Sequence, residues 1–230
     1  MAALQQAMIA SAGGSSDPYT KLLLHFGGAN GSTTFTDSSP TPKVPSSVVG
    51  CTITTAQSKF GGSGGVCSAA AGSHVDYSGE ADFAFGTGDW TIDFWTAYSG
   101  GVTPVLIDFR PTSGNGFYPM IYANGTFPNA VLTYYVNATV AITGPATFPT
   151  GWRHIAVARS GTSTKMFLDG AQVGATLSDS GNYLVGASRP RLFANGNNQA
   201  NEYNGYIDEL RISKGIARWT ANFTPPTAPY

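Results

Sequence analysis

The sequence predicts an all-β protein, a sandwich or barrel, on three observations. Apolar and polar residues alternate with period two in many short runs, as in Trp90–Thr96 (Trp-Thr-Ile-Asp-Phe-Trp-Thr). About a dozen such runs recur at roughly 8–15-residue intervals, too close together for βαβ units. The composition is turn-rich and charge-poor. Of 230 residues, 29 are Gly and 14 Pro, and charged residues make up 11%, against about 25% in ordinary soluble domains. Disorder needs low hydrophobicity and high net charge; here 42% of residues are hydrophobic and the net charge is −1.

In chain order, strands are expected at Tyr19–Phe26, Thr33–Thr36, Thr52–Thr55, Val66–Cys67, His74–Tyr77, Trp90–Thr96, Val105–Phe109 and Phe117–Tyr122. They continue at Val131–Val136, Val140–Thr143, Trp152–Arg159, Lys165–Leu168, Gln172–Thr176 and Tyr203–Ile212. Asp169-Gly170 between two such runs is a strong short-range hairpin signal, because both turn positions need φ > 0. Only Met1–Ala10 and Lys214–Trp219 suit a helical turn. Residues 1–18 form an N-terminal arm ahead of a single domain at 19–230. Its large apolar residues Leu4, Met8 and Ile9 make one narrow stripe if helical.

Charge and hydropathy exclude several classes. No basic run or stripe offers an electrostatic footprint for nucleic acid. No stretch of about 18 apolar residues exists to insert in a membrane as a helix. Met1–Ala12 has no Lys or Arg and no long apolar core, so no signal peptide is read. Two cysteines, Cys51 and Cys67, flank a glycine cluster at Gly61–Gly65 and suit either a cross-strand disulfide or two small buried thiols. The compartment stays open.

Several segments stand in one order: Lys21–Phe26, Ser58–Gly62, Phe85–Trp95, Trp152–Val157, Phe167–Gly170 and Tyr203–Ile212. Together they resemble the laminin-G-like branch of the concanavalin-A-like lectin and glucanase superfamily, over residues 19–230. The segment Ser213–Pro226 (SKGIARWTANFTPP) is similar to laminin-G-like domains of bacteriophage virion and prophage tail proteins. The resemblance implies a two-sheet antiparallel jelly-roll sandwich. It also implies a virion role, as capsid decoration, head fibre or tail fibre, with other virion proteins or further copies as partners and host-surface glycan as a ligand. The arm, surplus to that fold, would be the attachment element. A free lectin and a glycoside hydrolase are the alternatives.

The superfamily's hydrolases carry Glu-x-Asp-x-x-Glu on one strand. Here Glu80-x-Asp82 begins that pattern, but Phe85 stands where the second Glu belongs, so no enzyme is expected. His25, His74 and His154 lack metal-ligand spacing and read as structural; strict alternation would turn Asp208 and Glu209 to opposite faces, so they cannot act as one carboxylate pair, and the resemblance implies a structural role for both. On Trp90–Thr96, Trp90, Ile92 and Phe94 share the core face, and Trp95 is expected to pack against a further layer. Sugar sites combine a stacking aromatic with amides and carboxylates on loops. The richest such loop runs from Asn195 to Tyr203, with Asn195, Asn197, Asn198, Glu202 and Tyr203 as candidate ligands; Tyr118, in the loop after Asn115, is another. No cofactor is required, although calcium on Asp108, Asp179 or Glu202 is compatible with such loops.

Overall fold

A computed structural model describes residues 17–68, 70–78, 81–112, 115–144, 147–198 and 200–230. The arm residues Leu4, Met8 and Ile9, the expected helix at Met1–Ala10, and Glu80 lie outside the described residues.

Fifteen strands follow one another: β1 (Thr20–Leu24), β2 (Ser47–Val49), β3 (Cys51–Thr54), β4 (Gly64–Cys67), β5 (His74–Asp76), β6 (Trp90–Gly100), β7 (Val105–Asp108) and β8 (Met120–Asn124). Then come β9 (Val131–Val136), β10 (Thr139–Thr143), β11 (Gly151–Ser160), β12 (Ser163–Leu168), β13 (Ala171–Ser178), β14 (Arg191–Leu192) and β15 (Asn204–Lys214). No helix occurs among the described residues. One sheet has the order β13-β12-β11-β6-β15-β4-β3, with β1 also paired to β15; the other has the order β10-β9-β8-β7-β14-β5-β2. All pairings are antiparallel. The fold is the expected two-sheet sandwich.

Period-two alternation builds the core from the two inner faces. Ile92, Phe94, Ile155, Val157, Ile207 and Ile212 come from one sheet, and Val75, Ile107, Ile121, Leu132, Tyr134 and Leu192 from the other. Trp90 is fully buried and stacks on Phe85 at 5.2 Å. The Asp169-Gly170 hairpin forms as expected, with φ of 49° and 78° at the two turn residues and Leu168 opposite Ala171.

Cys51 lies opposite Cys67 in the β3–β4 ladder, and the two are joined by a disulfide. Closing a 16-residue separation in the chain-entropy model stabilises by about 3 kcal/mol. Ellman titration of the unfolded, unreduced protein should therefore find no thiol, and reduction should lower stability by about that amount. Two titratable thiols before reduction would refute the bridge.

Three expectations need correction. Thr33–Thr36 forms no strand. Lys214–Trp219 is not helical: Lys214 ends β15, and the Thr91 hydroxyl accepts from the Arg218 N–H and donates to the Ile216 carbonyl, replacing helical partners. Nor do Asp208 and Glu209 lie on opposite faces. A β-bulge shifts the β15–β6 register between Asp208 and Arg211, and Glu209 adopts φ 50°. Core contacts fall at Ile207, Leu210 and Ile212, so both acids turn away from the core.

The bulge sits where the neighbour of β15 changes from β4 to β1. Asp208 accepts the Lys59 and Phe60 N–H groups at 2.8 and 3.0 Å, tying down the β3–β4 loop. Glu209 accepts the Tyr230 N–H at 3.0 Å and pairs with His25 at 2.8 Å. Residues 214–230 thus run back as a strap over the outer face of the eight-stranded sheet. Trp219 stacks on Phe223 at 4.1 Å and packs with Ala156, Ala158 and Phe167. Beneath the strap, Arg211 forks onto Asp93, and the Tyr230 hydroxyl meets His154 at 2.9 Å. Burial by itself would raise the Asp93 carboxyl, but the Arg211 charge and the polar contact with His154 outweigh it and hold the group well below the usual range.

Asp208 behaves oppositely. Burial pushes its carboxyl up to about 6, only partly offset by the Phe60 and Lys59 N–H groups. The folded state then binds a proton that the unfolded chain has released, so this group makes stability fall as pH rises from about 4 to about 6. Melting curves of wild type and Asp208→Asn across that window should show this downward slope in the wild type alone; parallel profiles would refute the assignment.

Candidate functional site

The pleat that sends Ile107, Ile121, Leu132, Tyr134, Val75 and Leu192 inward sends their alternates outward on the seven-stranded sheet. Register aligns six of these in one row across six strands. Tyr135 opposes Met120, Met120 opposes Asp108, Asp108 opposes Arg191, Arg191 opposes Asp76, and Asp76 opposes Ser47. Beside it stand Thr133, Tyr122 and Val105. No strand lies over this face among the described residues.

An outer face usually leaves its charges in water; here they are buried and paired. Asp108 is fully buried. It accepts the Arg110 backbone N–H at 2.8 Å, the Arg110 fork at 2.7 and 3.1 Å, and the Gly196 N–H at 2.8 Å. Burial acts against the Arg110 charge, but Asp108 outweighs it and raises the guanidinium's pKa. Arg191 forks onto Asp76 at 2.7 and 2.6 Å. The Arg189 guanidinium donates to the Arg110, Ser188 and Gly196 carbonyls. Desolvation lowers its pKa, and Arg191 nearby lowers it further. His74 closes the row, its Nε2 3.2 Å from the Ser47 hydroxyl.

This network fixes the Asn195 loop. The Asn195 side-chain oxygen accepts from Arg110 at 3.1 Å and from the Asn197 N–H at 2.7 Å, and the Asn195 N–H donates to the Ala200 carbonyl. A Cβ on Gly196 would come within 2.7 Å of the Arg110 carbonyl and of Arg189 Nε, so only glycine fits. Arg110 also lies over the Tyr135 ring at 5.1 Å, and Tyr135 meets Tyr122 edge to face at 6.5 Å. The result is a half-open aromatic flanked by a held guanidinium and amide-bearing loop residues. Such a surface stacks on an apolar ring face and hydrogen-bonds hydroxyls.

The sequence-expected residues divide. Asn195 and Asn197 are half-buried at this rim, and Asn198 is exposed there. Glu202 is half-buried and accepts the Gly72 N–H at 2.7 Å, bracing the loop's far end. Tyr118 is half-buried and packs against the core cluster. Tyr203 is a correction: it is fully buried, hydrogen-bonds Thr96 at 2.6 Å and stacks on Tyr98, because it enters β15 on the inward-facing parity. Sequence reasoning missed Arg110, Arg191, Asp76, Tyr122 and Tyr135. The Asp108-x-Arg110 and Met120-x-Tyr122 spacings carried a signal, but only register joins them.

Asp108, Asp179 and Glu202 do not come together as a calcium site among the described residues. Asp108 is spent on Arg110 and Gly196, Asp179 on Thr164, Tyr183 and the Gly181 N–H, and Glu202 on Gly72. Among the described residues no group of three His, Cys, Asp or Glu side chains comes together to hold a metal.

A laminin-G family model described as concanavalin A-like lectin/glucanases superfamily matches residues 69–218. No curated protein matches the chain in sequence. Among solved structures, the binding domain of Paraclostridial mosquitocidal protein 1 is similar at TM-score 0.60 and 15% identity over 89% of this chain, which spans 51% of that one. Domain 4 of AbnA, a GH43 extracellular arabinanase from Geobacillus stearothermophilus solved in complex with arabinotriose, gives 0.56 and 19%, over 86% of this chain and 95% of that one. A Trypanosoma rangeli sialidase gives 0.61 and 10%, over 92% and 33%. At these identities the likeness is one of fold.

Proposed function

The chain belongs to the concanavalin A-like lectin/glucanase superfamily, and from that premise we propose that it is a non-catalytic glycan-recognition module carried by a phage virion protein. The observation that carries the reading is the Tyr135–Met120–Asp108–Arg191–Asp76 row with the Asn195 loop locked against it by Arg110. In this reading Tyr135 stacks on a sugar ring, while Arg110, Asn195, Asn197 and Asn198 bond its hydroxyls. Held donors cost little entropy on binding. AbnA domain 4, nearly the same length as this fold and complexed with arabinotriose, supports an oligosaccharide ligand. Phe85 in place of the second glutamate supports recognition without hydrolysis; that side chain is buried against Trp90 and Phe109. The virion setting rests on the 213–226 resemblance, with Leu4, Met8 and Ile9 of the arm attaching the module to other virion proteins or to further copies.

A glycan array that includes arabino-oligosaccharides, followed by calorimetry, tests this. The protein should bind at least one glycan class and release no reducing ends from it. Tyr135→Ala and Asn197→Ala should each weaken that binding by about tenfold, roughly the loss of one good contact. Binding of no glycan, or release of reducing sugar, would overturn the reading.

A further inference from the structure

The opposite face of the sandwich carries a second feature that the site above does not use. On the outer face of the eight-stranded sheet, the strap covers Asp93, His154 and Ala156, and Lys59 and Phe60 fold over Trp95. One row stays uncovered. In it Trp152 opposes Ala97, Ala97 opposes Tyr206, Tyr206 opposes Val66, and Val66 opposes Thr52. All five are half-buried. The row crosses five adjacent strands, about 19 Å at the usual strand spacing.

Trp152 leans across the sheet from the end of this row. Its indole edge is 3.8 Å from where a Cβ on Gly64 would stand, although Gly64 belongs to β4 and Trp152 to β11. The ring therefore reaches across β6 and β15 towards β4, and Gly64 leaves room for it. Neither the Trp152 indole N–H nor the Tyr206 hydroxyl has a protein partner among the described residues, and neither is buried. Ser99 and Asn204, both exposed, border the row on one side, and Lys59, seated 3.9 Å over Trp95, borders it on the other.

We infer that this row is a second glycan-binding platform, taking a neutral, linear, β-linked oligosaccharide laid across the strands. The Trp152 and Tyr206 rings, on strands two apart with the indole reaching over the strands between, offer neighbouring aromatic faces to the apolar C–H faces of a sugar chain. The unpaired indole N–H and phenol serve their hydroxyls. A protein partner fits poorly: an aromatic strip one residue wide between polar borders is far below the roughly 800 Å² per partner of a stable interface. With sites on both faces, the module would hold two chains at once and gain from avidity. This inference does not depend on the site on the seven-stranded sheet and stands or falls separately.

Tryptophan emission reads it directly, because Trp90, Trp95 and Trp219 are buried and Trp152 is the half-exposed indole. Titration with xylohexaose and with cellohexaose should shift the wild-type emission to the blue and saturate for at least one of them. Calorimetry should show about tenfold weaker binding of that probe for Tyr206→Ala and for Trp152→Ala, with partial recovery in Trp152→Phe. Circular dichroism melts establish that each variant is folded. Absence of binding by both hexasaccharides overturns the inference, as does Trp152→Ala or Tyr206→Ala binding as tightly as wild type. Loss of the hexasaccharide in Tyr135→Ala would assign it to the other face and overturn the inference equally.

Discussion

Asp108→Ala should destabilise the protein by about 3–5 kcal/mol, the usual effect of breaking a buried ion pair by removing one partner. Asp108 is fully buried and receives four N–H donors, three from Arg110 and one from Gly196. Its loss leaves a mostly buried guanidinium without its counter-charge and frees the Asn195 loop. Chemical denaturation should show the lower midpoint. Hydrogen exchange should show lost protection at Gly196 and Asn197, whose N–H groups bond Asp108 and Asn195. A variant within 1 kcal/mol of wild type would mean that the pair is solvated and that the loop is held by something else.

Trp219→Ala should act on the opposite face with similar size, about 3–5 kcal/mol. Trp219 is 9% exposed, stacks on Phe223 and packs on Ala156, Ala158 and Phe167. Gly170 shows how closely the strap is seated, since a Cβ there would overlap the Phe223 carbonyl, and the Phe223 N–H bonds the Gly170 carbonyl at 2.9 Å. Without the indole the strap should loosen and open Asp93 and His154 to water. Proteolysis should then cut within residues 214–230 well before the sandwich unfolds. Unchanged resistance would place the strap's main anchor at Glu209 and Tyr230 instead.

How far the sequence could be read follows from the range of each determinant. Alternation and turn chemistry are local, so the long strands and the Asp169-Gly170 hairpin were legible. The two-residue β14 was not, since Arg191 and Leu192 are strand only through their partners Asp76, Val75, Ile107 and Asp108. The Glu209 bulge was hidden because a residue other than glycine takes the left-handed conformation there. Among the candidate ligands, the polar Asn195 loop was visible from its amides. Tyr203 was misread because nothing local says on which parity a strand begins. The row beneath the loop joins residues from 47 to 191 by register alone, and the strap's departure from helix depends on one distant hydroxyl, that of Thr91.

The most direct test of glycan recognition on the seven-stranded sheet is a backbone amide NMR titration with the tightest glycan found on the array. The expected result is a set of saturable shifts at Arg110, Tyr122, Tyr135 and residues 195–198, abolished in Tyr135→Ala while the rest of the spectrum stays native. Shifts that spare these residues, or a spectrum unchanged by every glycan, would contradict it.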